Sequence, residues 1–462
     1  MQNPYWVNLQ RFGDRTALID GATGEKLTYR ALAEATEGVA QHLGDHEKGL
    51  VLALCDTTLH GAVAFIAALA SNHAVFLVSP RTSVDELMML VARFQPSLLV
   101  GPSAVIGELA PNTPKSLEFA GDMVVARPPS RSTKLHPDLR LLLSTSGSSG
   151  SAKAVRLSER NICVSAWQVA SALGVEPSHR ALLTLPLSYT FGLSVLSSHL
   201  LCGASVVLEN RSILQRSVWE ACTHHTPTTM AGVAFTLEML MKIGFGDNPA
   251  SSITTLTHSG DALSPELLSW LCSLSPRIRT IRMYGMTEAT SRISVLPSGE
   301  LDQSPGLVGY AVPLSDITIS ADHEVIVSGP NIMMGYANGW LDLARGDDLG
   351  GVLHTGDMGL VDDRGRLYLT GRKSRFVKIM GARLSLDLLE ERLAAAVPTI
   401  VTADRDIVTV TIERGFGGSM NDHLDKACRA LRLPRHVFKI VEVDSLARNP
   451  SGKLSRRGLS DQ

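Results

Sequence analysis

The stretch Leu141-Leu-Leu-Ser-Thr-Ser-Gly-Ser-Ser-Gly-Ser-Ala-Lys153 is a greasy run that breaks into a loop of little but Ser, Thr and Gly and closes on a lysine. Such a loop can wrap a phosphate. Gly147 and Gly150 let the backbone come close and take positive φ. Thr145, Ser146, Ser148 and Ser149 turn hydroxyls and freed N–H groups inward as donors, and Lys153 adds a charge. The Walker A spacing is absent. On composition alone, a flexible Ser/Gly linker is the competing reading.

With 462 residues, 44% of them hydrophobic, the chain can bury several cores, and its length suggests about two to four domains. Lys and Arg number 43 against 45 Asp and Glu, a formal net charge of -2, which gives no general attraction to nucleic acid or an anionic membrane. The N-terminus, Met1-Gln-Asn-Pro-Tyr-Trp-Val-Asn, lacks a basic segment followed by an apolar one, so no secretory signal is expected. Gly61 to Ala70 and Ala74 to Val78 form the most membrane-like region, but Ser71-Asn72-His73 interrupts it and neither piece can span a bilayer. A buried helix followed by a buried strand is expected there. Cys55, Cys163, Cys202, Cys222, Cys272 and Cys428 have no paired spacing and read as reduced thiols of a cytoplasmic protein.

Short apolar runs alternate with helical patterns. Leu32, Thr36, Val39, Ala40 and Leu43 fall on one helical face after a cap at Thr28. Strands are expected at Gly49 to Cys55, Ala74 to Val78, Ala181 to Leu185 and Ser205 to Leu208. That alternation predicts parallel sheets covered by helices, an α/β fold. From about Leu307 the pattern turns β-like, with Glu324-Val-Ile-Val327, Leu353-His354 and Arg366-Leu-Tyr-Leu369 between Gly and Asp turns. His224-His225 reads as part of a strand, with the two rings facing opposite ways, and so as no metal site.

After the Ser/Gly loop come Tyr284-Gly-Met-Thr-Glu288, His354-Thr-Gly-Asp357, Gly371-Arg372 and Pro450-Ser-Gly-Lys453, in that order. Together with Phe12-Gly-Asp-Arg-Thr-Ala-Leu-Ile19 and Leu27-Thr-Tyr-Arg-Ala-Leu32, this series resembles the adenylate-forming (AMP-binding) superfamily, over nearly the whole chain. That superfamily includes acyl- and aryl-CoA synthetases, the adenylation domains of peptide synthetases and firefly luciferase. The resemblance implies a large N-terminal domain, residues 1–373, of helix-covered β-sheets plus a β-rich subdomain, with subdomains of about 1–160, 161–295 and 296–373. It also implies a small mobile α+β C-terminal domain, residues 374–462, with its hinge at Ser374.

Activating a carboxylate with ATP brings two anions together, so the site must neutralise phosphate and hold the attacking oxygen in line. By resemblance the loop from Thr145 to Gly150, helped by Lys153, meets the β- and γ-phosphates, Thr287 bonds the α-phosphate, and Glu288 holds the Mg²⁺ that bridges them. Read alone, Glu288 is an exposed charge at a helix start. Tyr284 stacks on adenine, with Gly285 beside it, or is an ordinary core aromatic; Gly260 and Asp261 join the nucleotide site. Asp357 can accept from both ribose hydroxyls, and Arg372 adds a ribose or phosphate contact. Read alone, both of their motifs are tight turns between strands. Lys453, which alone would be part of a basic tail, swings in with the C-terminal domain in the family and acts as charge builds at phosphorus. Lys378 opens Lys378-Ile-Met-Gly-Ala-Arg-Leu-Ser385, which matches the loop brought in for thioester formation, where Gly381 leaves room for a pantetheine arm.

The same resemblance places the substrate pocket under Tyr189 and Thr190, Val233 to Phe235, His258 and Ser259, and the turn from Met283 to Met286. Tyr189 stands where the family usually has His. Thr190 stands where amino-acid-activating members commonly carry Asp for the substrate ammonium, so an α-amino acid is disfavoured. The apolar lining, with Phe235 and Met286, suits an aryl or medium acyl acid. His258 either senses a polar substrate group or is simply hydrogen-bonded in place. Two departures touch the acceptor side: the region after Glu390 is short, and Leu386 replaces a usual proline. No carrier domain follows Gln462, so the acceptor is expected to be free in solution.

The leading expectation is a cytoplasmic, AMP-forming acid–thiol ligase that uses ATP and Mg²⁺. It forms an acyl-AMP from a small carboxylic acid and passes the acyl group to the pantetheine thiol of CoA or of a separate acyl carrier protein, with no nucleic-acid or membrane partner. Delivery of the acyl group to an amine or amino-sugar is one alternative. A non-catalytic nucleotide-binding relative is another, opposed by the intact set Lys153, Thr287, Glu288, Asp357, Arg372 and Lys453.

Overall fold

The Thr28 hydroxyl accepts a hydrogen bond from Ala31 N at 3.1 Å and opens the helix Tyr29–Leu43, which Gly44 closes at φ 92°. Leu32, Thr36, Val39 and Leu43 are buried along it, the face that the heptad-like spacing predicts. The helix Leu59–Ala70 is apolar all round and buried nearly all round, and the strand Ala74–Val78 that follows is buried on both faces. The computed structural model describes residues 4–44, 47–113, 115–119, 121–128, 134–144, 153–247, 252–260, 262–302, 304–379, 382–394, 397–404, 407–415, 417–431, 433–448 and 454.

The fold is mixed α/β. The larger sheet has 13 strands. Its middle is a parallel run from Arg279–Tyr284 through Thr255–His258, Thr229–Gly232, Arg180–Leu183 and Ser205–Leu208 to Thr16–Asp20. Beyond Arg279–Tyr284 the sheet continues antiparallel through Ser294–Leu296, Leu307–Ala311, Leu367–Arg372 and Val352–Val361. The second sheet has 8 strands, with Leu98–Pro102, Leu50–Leu54, Ala74–Val78 and Leu139–Ser144 parallel at its centre. After Lys373–Arg375, a short antiparallel pair (Phe376–Ile379 with Ala382–Ser385), two helices (Leu386–Ala394 and Gly417–Leu431) and a three-stranded sheet form a small α+β unit around its own apolar cluster. Among the described residues, no helix is long and apolar enough to cross a membrane, and all six cysteines are free thiols.

Three expectations need correction. His224 and His225 close the helix Arg216–His225, with their rings edge-on at 4.7 Å, and are not on a strand. The short strand expected at Leu353-His354 runs from Val352 to Val361. The turn reading of His354-Thr-Gly-Asp357 and Thr370-Gly-Arg372 fails as well, since both motifs sit inside paired strands. Gly356 at φ 71° and a register shift between Met358 and Gly359 bend the strand without ending it, which in sequence looks like a turn.

The helix Thr190–Leu201 is buried on every side although it carries Ser, Thr and His. It does so because Ser194, Ser197 and Ser198 donate to carbonyls three residues back, at 2.7, 3.3 and 3.2 Å. His199 Nδ1 meets Val195 O at 2.9 Å and Nε2 meets the Thr229 hydroxyl at 3.4 Å, an arrangement that suits the neutral ring. Burial pulls its pKa down to about 4 from 6.5, against the Val195 bond. Because the folded value is depressed, the stability tied to neutral His199 is complete above pH 6.5 and is lost as pH falls toward 4. Acidification across that window should remove up to about 3 kcal/mol through this group. Thermal melts from pH 7 to pH 4.5 should therefore fall more steeply for the wild type than for His199→Asn; parallel slopes would count against it.

Candidate functional site

Open α/β sheets take ligands beyond the carboxyl ends of their parallel strands, and most of the candidate residues converge there. Gly285 to Glu288 follow Tyr284, Ser259 and Gly260 follow His258, and Val233 caps the helix Ala234–Lys242 after Gly232. The segment after Arg180–Leu183 delivers Tyr189 and Thr190 at the start of the helix Thr190–Leu201. In the second sheet Leu139–Ser144 ends where the Ser/Gly loop begins, and Lys153 precedes the returning strand Ala154–Ser158. Gly260 has φ 112°, a conformation that favours glycine.

Three sets of contacts join residues from different segments of the chain. The Thr190 hydroxyl donates to the Thr287 hydroxyl at 2.9 Å. Asp357, 5% exposed, accepts from the Tyr284 hydroxyl at 2.5 Å on one oxygen and pairs with Arg372 Nε at 2.9 Å on the other. Asp357 and Arg372 are register partners on adjacent antiparallel strands, which is why they meet. The carboxylate raises the Arg372 pKa, while burial first and Asp357 second push the Tyr284 phenol well above its usual value. Each Asp357 oxygen keeps a second lone pair for a ligand hydroxyl. The third set runs from the Tyr336 hydroxyl to Glu288 Oε1 at 2.7 Å, with Lys153 Nζ 5.4 Å from the centre of the Tyr336 ring.

The loop carrying Thr287 and Glu288 is held in a strained shape. Thr290 and Ser291 have φ of 50° and 111°, rare for residues with a Cβ. A Cβ on Gly285 would lie 1.6 Å from Ser291 O, so only glycine fits against this turn. The clamp is Asn331, which is fully buried. Its Nδ2 donates to Ala289 O at 3.0 Å and Arg292 O at 2.9 Å, its Oδ1 accepts from Ser315 at 2.8 Å, and its carbonyl accepts from Thr290 at 2.6 Å. Asn331→Ala strands the Ala289 and Arg292 carbonyls in the core and takes away the acceptor of the Ser315 hydroxyl, which keeps only its bond from Gln168 at 3.1 Å, and should cost about 3 kcal/mol. A denaturant midpoint within error of wild type would refute this role.

Val233, His258, Ser259 and Met283 are buried, and Tyr189, Phe235 and Met286 are half-buried against the same core. His258 Nδ1 lies 3.3 Å from Gly232 O. The Arg448 guanidinium lies 4.6 Å over the Phe235 ring and 4.0 Å from Glu238, and Arg448 pairs with Leu454, which brings the C-terminal segment beside Phe235. Ser374 sits in the short turn Lys373–Arg375 and Lys378 in the strand Phe376–Ile379. Thr145, Ser146, Gly147, Ser148, Ser149, Gly150, Asp261, Gly381 and Lys453 lie outside the described residues. Asn331 and Tyr336 were not legible as site residues. Their local signal is the Gly329-Pro330-Asn331 turn and a strand, Gly335–Ala337, that pairs with Ala154–Ser158.

A model of the family described as AMP-binding enzyme matches residues 5–337. Among curated proteins, the chain is 24% identical to 4-coumarate–CoA ligase 5 of Oryza sativa subsp. japonica, over 96% of this chain and 91% of the relative. It is 25% identical to the 2-succinylbenzoate–CoA ligase of Listeria innocua, over 70% of this chain and 69% of the relative. Among solved structures, the O-succinylbenzoate coenzyme A synthetase of Bacillus subtilis in complex with ATP and magnesium ion matches with a TM-score of 0.79 at 22% identity, covering 100% of both chains.

Proposed function

The chain belongs to the AMP-binding enzyme family, and on that premise we propose that it joins a carboxylic acid to the AMP of ATP, releases pyrophosphate, and passes the acyl group to the thiol of CoA. The observation that carries this reading is the meeting of Thr190 with Thr287 beside the Tyr284–Asp357–Arg372 chain at the carboxyl edge of the parallel strands.

Each residue has a task that its surroundings suit. With Thr190 donating to it, Thr287 keeps its own proton for a phosphate oxygen. Asp357 accepts from ribose hydroxyls through its spare lone pairs, held in place by Tyr284 and Arg372. Mg²⁺ uses one or two protein carboxylates together with substrate phosphates, which suits Glu288, oriented by Tyr336. When bound, the ion would neutralise phosphate charge. Lys153 and the Ser/Gly loop add donors for the outer phosphates, and Lys453 supplies a cation at the reacting centre.

Relatives named for 4-coumarate and 2-succinylbenzoate, with the apolar side chains of Val233, Phe235 and Met286 packed together near the carboxyl edge of the sheet, support an aryl or medium acyl acid. Without an acidic residue at Thr190, a substrate ammonium has no partner there. The acceptor we favour is CoA, as the names of these relatives imply, with a separate acyl carrier protein as the alternative thiol. The free cysteines suit the reducing cytoplasm. Incubating enzyme, ATP, Mg²⁺, an acid panel and CoA should yield an acyl-CoA by mass, with AMP and pyrophosphate in equal amounts. ADP and phosphate, or no thioester with either CoA or carrier protein, would overturn it.

The hinge belongs to the same reading. Lys373 pairs with Asp322 at 2.6 Å and Glu324 at 3.0 Å on the large sheet, whereas Arg375 pairs with Asp387 at 2.6 Å and Glu390 at 2.7 Å on the C-terminal helix. Ser374 lies between the two anchors. A bond from Arg372 N to Asp387 at 2.8 Å crosses from one side to the other.

A further inference from the structure

A buried cation stands one helical turn below the Thr190–Thr287 contact. Arg292 is 2% exposed, with its guanidinium 4.2 Å over the Phe191 ring. Nε donates to Met283 Sδ at 3.3 Å, and the two terminal nitrogens donate to Ser291 O at 2.9 Å and Ser194 Oγ at 3.3 Å. Among the described residues no carboxylate pairs with it, whereas the equally buried Arg156 pairs with Asp348. Removing a guanidinium from water costs several kcal/mol unless an anion compensates it. A thioether is a weak acceptor, and a 3.3 Å contact to a neutral hydroxyl is long. The burial shows in the group itself, whose pKa is pulled down to about 10.

Position links this cation to the reaction. Thr190 and Ser194 lie four apart on one helix face, about 6 Å along the axis. Thr190 touches Thr287, where the proposed reaction occurs, and Ser194 touches Arg292. A cavity whose walls include Phe191, Ser194, Ser198, Met283 and Arg292, together with Thr229 and Arg279, lies along that face. The left-handed pair Thr290–Ser291 directly precedes Arg292, so backbone strain accompanies this placement.

We infer that Arg292 is a specificity-determining residue that binds a second carboxylate at the far end of the acid, and that the substrate is a dicarboxylic acid whose carboxyl groups are about 6 Å apart, as in adipic or terephthalic acid. This rests on the acid-activating reading above. A bidentate guanidinium–carboxylate pair would replace the weak thioether and hydroxyl contacts.

The test is acid-dependent pyrophosphate release by the full chain, comparing diacids of that span with their monomethyl esters and with monoacids of matching length. The wild type should use the diacid at least about 100-fold better in kcat/KM than its monoester, since a site built for a polar group rejects the analogue lacking it. Arg292→Met should erase most of that ratio through KM while keeping turnover of the monoester. The ester comparison needs no variant, so a poorly folding Arg292→Met leaves the inference testable. Equal use of ester and diacid by the wild type, or an unchanged ratio in a folded Arg292→Met, overturns the inference alone. No release with any acid while ATP still binds overturns the acid-activating reading, and this inference with it.

Discussion

Lys453→Ala is expected to slow acyl-adenylate formation by about 100-fold or more while leaving ATP affinity nearly unchanged. Attack of a carboxylate on the α-phosphorus builds negative charge where two anions already meet, and a cation delivered there acts on the transition state more than on bound ATP. The surroundings support its delivery. Arg448 and Leu454, on either side of 449–453, are paired with each other, and Arg448 lies over Phe235. Single-turnover pyrophosphate release measures the step directly. A rate within about threefold of wild type would remove Lys453 from the reaction.

Ser374→Pro should divide the two half-reactions. Proline fixes φ and removes the backbone N–H at the residue between the Lys373 anchor on the large sheet and the Arg375 anchor on the C-terminal helix. If the C-terminal unit must turn about this point for the thiol to reach the acyl-adenylate, thioester formation should fall by about 100-fold with adenylation retained. Acyl-AMP would then accumulate and be detectable by mass. Equal loss of both steps would argue against a domain rotation at Ser374.

The elements legible in sequence are those with a strong local pattern. Ala74–Val78 and Ser205–Leu208 have the bounds their unbroken apolar runs predict, and Thr28 marks the start of its helix because capping is a short-range event. The expected strand Ala181 to Leu185 stops at Leu183, two residues early, where the chain approaches Pro186. His224-His225 does not announce a helix in sequence because Thr and His are weak helix formers at the end of a ten-residue element, and the burial of Val218 and Cys222 decides it. Asn331 was invisible as a clamp because its partners Ala289 and Arg292 are 42 and 39 residues away. Arg292 is an ordinary letter in the sequence. It is buried with no carboxylate paired to it among the described residues, which spacing does not record.

The central claim, reversible adenylation of a carboxylic acid, is tested most directly by ATP–pyrophosphate exchange with neither CoA nor carrier protein present. Across aryl, fatty, hydroxy, amino and dicarboxylic acids, the account predicts exchange that depends on the acid and is lost in Lys453→Ala. No exchange with any of these acids, from protein that still binds ATP, would contradict it.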